Sequence, residues 1–373
     1  MSETRGGEVT RLELFFDLVF VFTITQFTTV LVDRQSAAGA AQAAVMLAIV
    51  WWMYGGYAWL TNLVPPDRTA RRLAMVAGMI SYLVLALSIP RAFDGRGLEF
   101  GLAYLLVVLV HGGLFTVSTE ARFSTIYRGF FPVNVAFALV IVAGGALGGA
   151  WEYALWTATA AAAWTAPRLI ADQSHLLNAA HFVERHALVV LVAIGESVVA
   201  VGIGAGHTGL GLATLGAVAL GTAVSAGLWW AYFGERNDEL RESGFVRAVA
   251  AGEYLVGVRT YGLVFVGVLG GIVGVAAGLR EAIAHPSHEL GTAVALYMGC
   301  GAALFLVSDQ ISRAHMSLGI SRRRMAMAAA AAATAVAGIA VSGAAQEAAL
   351  MLVLGLGFVI EGRANPQVPL EGG

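Results

Sequence analysis

Twelve long apolar runs divide this chain, near residues 12–32, 38–62, 72–90, 98–118, 131–148, 150–167, 185–205, 209–233, 251–278, 290–308, 325–342 and 345–361. A helix needs roughly 20 apolar residues to cross about 30 Å of hydrocarbon, and these runs have about that length. Barrel strands alternate in polarity and would not give continuous runs. The expected fold is therefore an all-α polytopic membrane protein with about 12 transmembrane helices. Only 12% of the 373 residues are charged and 58% are hydrophobic, whereas soluble domains carry roughly 25% charged residues. The lipid bilayer is the first expected partner. A net charge of −2 gives no field that would attract nucleic acid. No cofactor and no metal site is implied, and the pattern carries no signal of oligomeric state. The opening MSETRGGEVT is polar, and the run behind it is too long for a signal-peptide core, so no cleaved leader is expected.

All 22 basic residues are arginine, a usage that fits a GC-rich bacterial genome. On this span assignment 17 of them, including Arg5, Arg68, Arg168, Arg236 and Arg363, fall with the two termini and the even-numbered loops. Four, Arg34, Arg91, Arg96 and Arg280, fall on the other side, and Arg259 lies within a span. The positive-inside rule then places both termini in the cytoplasm of a cell whose plasma (inner) membrane the chain crosses many times.

The second half echoes the first. WWMYGGY carries Trp51, Trp52 and Tyr54, and WWAYFGE carries Trp229, Trp230 and Tyr232, an offset of 178. Asp17 followed by LVFV is matched by Glu196 followed by SVVA, an offset of 179. The expected organisation is two six-helix repeats, 1–180 and 181–365, with a disordered tail at 366–373. Six spans per unit is even, so the repeats run in parallel about an axis along the membrane normal.

Ionisable side chains inside spans cost about 2.5–3.5 kcal/mol on insertion scales and need a partner or a watery cavity. Glu13 and Asp17 are four apart on one helical face, which Ile24 and Thr28 extend inward, with Arg11 at the edge. Two readings stand for these acids, a structural ion pair or carboxylates lining an aqueous path. HFVERHALVVLVAIGESVVAVG supplies His181, Glu184, Arg185 and His186 at the start of the seventh span, then Gly195, Glu196 and Ser197 about three turns deeper. Gly195 is expected to admit a neighbouring backbone. The histidine spacing there is neither HExxH nor HxxEH, which argues against a zinc site. His111, in HGGLF, is a candidate bridge to Asp17. Asn134 and Asp309 are expected to be structural, and Glu347 and Glu361 to reach the interface. GGALGG and GVLGGIVG are read as helix-packing surfaces.

RLELFFDLVFVFTITQ and HFVERHALVVLVAIGES together resemble the bacterial low temperature requirement protein A (LtrA) family. His181, Glu184, Arg185, Gly195, Glu196 and Ser197 fall on the second motif, with His186 where the family pattern has an apolar residue. The opening stretch is also distantly similar to the R-x-x-x-F-S-D first helix of a potassium-permeable channel family built from six-helix repeats. Arg11, Phe15 and Asp17 match it, and Phe16 replaces the serine. These resemblances and the paired acids point to transport of a small cation or proton, channel-like or carrier-like. Glu13, Asp17, Ile24, Glu196 and His111 would line the path. Arg11, His181, Glu184, Arg185, Ser197, Trp51, Trp52, Trp229 and Trp230 would form its supporting network. The alternatives are an intramembrane enzyme acting on a lipid or isoprenoid, with acids protonating an alkene among aromatic rings, or a membrane stress-response protein without transport.

Overall fold

A computed structural model describes residues 9–117, 121–165, 178–206, 209, 211–234, 237–253 and 255–364. The tail at 366–373, Pro167 at the end of the sixth run, and Arg5, Arg168 and Arg236 lie outside them. Among the described residues the chain is helical throughout, with no strand. The first half contains α1 (Arg11–Arg34), α2 (Ala37–Leu63), α3 (Thr69–Ser88), α4 (Gly97–Val117), α5 (Ala121–Leu147) and α6 (Gly149–Thr165). The second contains α7 (Ala179–Gly206), α8 (Leu212–Phe233), α9 (Asn237–Ala250), α10 (Leu255–Gly257), α11 (Val264–Ala284), α12 (Thr292–His315), α13 (Arg322–Ala333), α14 (Ala335–Ala340) and α15 (Gly343–Ala364). A π-helical segment, Val258–Leu263, joins α10 to α11 into one 30-residue apolar unit.

Among the described residues, ten helices are long and apolar enough to cross a membrane. The other two predicted runs fall on α6, which has 17 residues, and on the pair α13–α14, interrupted at Thr334. The helix α9 was not anticipated; it is polar, as its sequence NDELRESGFVRAVA makes plain.

Local sequence explains why α1 begins where it does. Thr10 and Glu13 form a reciprocal capping box, in which the Thr10 N–H and hydroxyl donate to Glu13 Oε2 at 2.9 and 2.8 Å. This satisfies otherwise orphaned amides at the helix start. α1 then packs against α2, α3, α7 and α11. The predicted glycine surfaces are used. A Cβ at Gly271 would come within 2.7 Å of the Gly301 carbonyl, and one at Gly274 within 2.8 Å of the Tyr297 carbonyl, so α11 and α12 meet backbone to backbone. In GGALGG, Gly144 abuts Trp156 and Gly145 abuts Gly97. Gly195 departs from expectation, because a Cβ there would meet nothing within 4 Å.

Candidate functional site at the α1–α7 seam

Glu13, Asp17 and Arg185 come together where α1 and α7 begin. All three are buried, Asp17 and Arg185 completely. Arg185 Nη1 lies 3.3 Å from Glu13 Oε1 and Nη2 lies 3.2 Å from Asp17 Oδ1. One guanidinium therefore serves two carboxylates, one helical turn apart on α1. The remaining bonds come from α2: Tyr54 donates its hydroxyl to Asp17 Oδ1 at 2.6 Å, and Arg185 donates to the Thr61 hydroxyl. The guanidinium also stands over the Phe16 and Tyr54 rings, at 5.8 and 5.6 Å from their centroids. Asp17 Oδ2 has no hydrogen-bond partner among the described residues.

His181 closes the cluster toward the helix end, with Nε2 3.5 Å from Glu13 Oε2. Its tautomer follows from its other neighbour. The Asn62 amide is fixed in orientation by the Asn178 backbone, accepting from its N–H and donating to its carbonyl at 2.9 Å each. Asn62 Nδ2 must then donate to His181 Nδ1, 3.2 Å away, which leaves the Nε2 proton facing Glu13.

Glu196 sits on the same seam but not with Asp17. Its Oε2 accepts the Thr25 hydroxyl at 2.6 Å, and the residue is 4% exposed. The contacts advance together, from Asp17 with Arg185 to Thr25 with Glu196, so α1 and α7 run in the same direction. Eight residues of α1 separate Asp17 from Thr25, about 12 Å of helix. Ile24 lies between the two tiers and is completely buried. The expected pair of acids is thus two separate helix contacts on one seam.

The other predicted residues divide into partners and bystanders. His111 is buried against Tyr57 and Phe115, at ring distances of 4.8 and 5.2 Å, while Asp17 is held by Tyr54 and Arg185. Ser197 is buried and donates to the Ile194 carbonyl at 2.6 Å, a bond within its own helix. Arg11 and Glu184 are exposed, and neither contributes to the bonds just described. Trp51 is buried, stacks on Tyr54 and Phe265, and donates Nε1–H to the Tyr261 carbonyl at 3.0 Å. Trp52 donates to Asn134 Oδ1 at 2.9 Å. Trp229 and Trp230 are 40% and 48% exposed, so the second Trp-Trp pair faces outward where the first faces in. Sequence reasoning noticed Tyr54 only as part of a repeat and missed Thr61, Asn62 and Thr25 as partners. A hydroxyl two or three turns along an apolar helix carries no signal of which distant acid or arginine it meets.

A second buried cluster surrounds Asp309, on α12. Arg241 donates to Oδ1, while Arg324 Nη1 and Gln310 Nε2 approach Oδ2 at 3.1 and 2.9 Å. Arg324 Nε reaches both Glu361 oxygens at 3.0 and 2.9 Å, and its Nη1 also donates to the Ala231 carbonyl at 2.9 Å. Arg241 stands 4.1 Å over the Tyr232 ring. Glu361 is therefore tied into the protein rather than reaching the interface, because a buried arginine needs its charge. Asp309 has the structural setting expected of it.

Comparison with known proteins agrees with the motifs. No solved structure matches. An uncharacterized protein of Rhizobium meliloti (strain 1021), RA0937, is 29% identical over 301 residues, covering 75% of this chain and 70% of the relative. The family model described as bacterial low temperature requirement A protein (LtrA) matches residues 8–359, which include both the α1 and the α7 motifs. The chain is a multi-pass membrane protein and belongs to the LtrA family.

Proposed function

We propose that this protein moves a small cation or a proton across the bacterial plasma membrane, with the Glu13–Asp17–Arg185 cluster as its binding site. One observation carries the reading: two buried carboxylates share a single guanidinium. In a low-dielectric setting a cluster one positive charge short favours uptake of a proton or cation. His181, with its Nε2 proton toward Glu13, stands between this cluster and the end of the bundle.

The closure of the seam sets the type of movement. Ile24 is fully buried, and the acids on either side of it are sealed in separate contacts. Passage along α1 and α7 requires those helices to part, which is gated or alternating access rather than a standing pore. Supporting the 12-span reading, α6 and the α13–α14 pair occupy the places of the two spans not long enough on their own. Supporting two parallel repeats at 1–180 and 181–365 with cytoplasmic termini, α1 and α7 run the same way. Tyr54 of α2 and Tyr232 near the end of α8 each stand beside a buried arginine bound to an aspartate.

The test is flux in proteoliposomes loaded with sodium, potassium or proton gradients, comparing wild type with Asp17→Asn and Glu196→Gln. Wild type should dissipate at least one gradient faster than empty vesicles, and Asp17→Asn should abolish that excess. If wild type matches empty vesicles for all three, the reading falls.

A further inference from the structure

Glu347, on α15, belongs to neither cluster. Sequence placed it at the interface, yet it is completely buried, and neither carboxylate oxygen has a hydrogen-bond partner among the described residues. The start of its helix explains the burial. Gly343 N–H donates to the His288 carbonyl at 3.0 Å and Ala344 N–H to the Pro286 carbonyl at 3.1 Å. A Cβ at Gly343 would come within 2.8 Å of Ala282 Cα, so α15 lies flush on α11. Gln346 faces α12, donating to the Ala295 carbonyl at 2.7 Å. Leu350 and Leu354, three and seven residues beyond Glu347 on one helical face, are both buried, and Leu354 abuts Gly227 of α8. Glu347 shares that face, toward α8.

The surrounding helices bring little charge to this level. α8 has no ionisable residue before Tyr232 near its end, and α14 has none. α11 carries only Arg280 and Glu281, both half-buried near its C-terminus. On α12, Tyr297 donates to the Ser36 carbonyl, Cys300 is exposed, and Asp309, Arg313 and His315 lie toward the other end. Arg322, Arg323 and Arg324 of α13, and Glu361 and Arg363 of α15 itself, also belong to that far end. An ionised carboxylate without a partner in such surroundings carries a heavy desolvation penalty, which the neutral acid avoids.

We propose that Glu347 is a proton-binding site, a carboxylic acid in the resting protein that exchanges its proton with the face bearing residues 285–291. Glu347 is four residues from Gly343, about 6 Å along the helix from that face. The site is independent of the transport reading, since its occupancy does not depend on any flux.

A neutral acid in an apolar seam is the substrate of a membrane-permeant carbodiimide. The O–H adds across one C=N of dicyclohexylcarbodiimide, the proton going to nitrogen and the carboxylate oxygen to carbon. The acyl group then shifts from oxygen to nitrogen, giving a stable N-acylurea with no leaving group and no change of oxidation state. Purified full-length protein treated at mildly alkaline pH should carry this adduct at Glu347 in peptide mass spectra. It should do so in preference to Glu13, whose carboxylate is bonded by Arg185 and by Thr10. Infrared spectra of Glu347→Gln should lose one protonated-carboxyl stretching band. An unmodified Glu347 in protein whose other acids have reacted overturns the proposal, as does an unchanged band in the variant. The labelling arm uses wild type and stands even where the variant fails to fold.

Discussion

The two buried arginine–carboxylate clusters lie at the same end of the bundle and are balanced in opposite ways. Arg185 is in the first turns of α7 and the Ala231 carbonyl, which Arg324 binds, is in the last turn of α8, so the pair of helices sets both clusters at one level. Around Asp309 the two carboxylates meet Arg241 and Arg324, with Arg313 close by on Asn237, and both Asp309 oxygens are occupied. Around Arg185 the two carboxylates meet one arginine, and one oxygen of Asp17 is unbonded among the described residues. The saturated cluster ties together α9, α12, α13 and α15 and is a clamp. The acid-rich one has two carboxylates on one guanidinium.

The largest effect should come from removing the shared guanidinium. Arg185→Met leaves Glu13 and Asp17 buried without a counter-charge, which destabilises by about 3–5 kcal/mol where buried pairs have been broken. Thermal unfolding in detergent should show it as a large fall in midpoint or as loss of folded protein. Arg324→Met should do comparable damage by stripping Glu361 and half of Asp309.

The sharper test neutralises one acid in each cluster. Asp309→Asn leaves Arg241 and Arg324 short of a charge, and about 3 kcal/mol of stability should go with it. Asp17→Asn removes an acid from the cluster that has one to spare and keeps an amide oxygen for Tyr54 and Arg185, so the loss should be smaller, about 1–2 kcal/mol. Unfolding midpoints of the two variants, measured side by side, decide the matter. An Asp17→Asn loss as large as that of Asp309→Asn would make the first cluster a clamp as well.

The acids of the first cluster are legible in the chain, whereas their pairing and the second cluster are not, for physical reasons. Continuous apolar runs impose helices, and charged residues in such runs demand partners, which singles out Glu13, Asp17, Glu196 and Arg185. Which acid meets which partner is not marked, because Asp17 and Arg185 are 168 residues apart and hydrogen bonds between helices leave no periodic trace. The helix α9 is polar, so no apolar run marks it. Glu347 was misplaced for a related reason: distance from a helix end measures depth along the axis, while burial depends on which neighbour covers that face.

A smaller loss should follow Tyr54→Phe, which removes the hydroxyl donated to Asp17 but keeps the ring between Phe20 and Trp51. A typical intramolecular hydrogen bond contributes about 0.5–1.5 kcal/mol net. Denaturation in detergent should show a change of that order, and the loss should shrink when Asp17→Asn is combined with it, because the two residues share one interaction.

The smallest effects separate the two Trp-Trp pairs, which the sequence presents as equivalents. Trp51→Phe takes the only N–H that the ring offers away from the Tyr261 carbonyl. That carbonyl belongs to the π-helical segment, where the hydrogen-bond ladder is already shifted. Losing that buried hydrogen bond should cost about 0.5–1.5 kcal/mol. Trp229→Phe alters a side chain that is 40% exposed, and its effect should stay within about 0.5 kcal/mol. Unfolding midpoints of the two variants therefore test whether the repeat carries the same load in both halves. Equal losses would return Trp229 to the protein interior, whereas the expected inequality assigns the inner pair to the α1–α7 site and the outer pair to the lipid boundary, where indole rings favour the membrane interface.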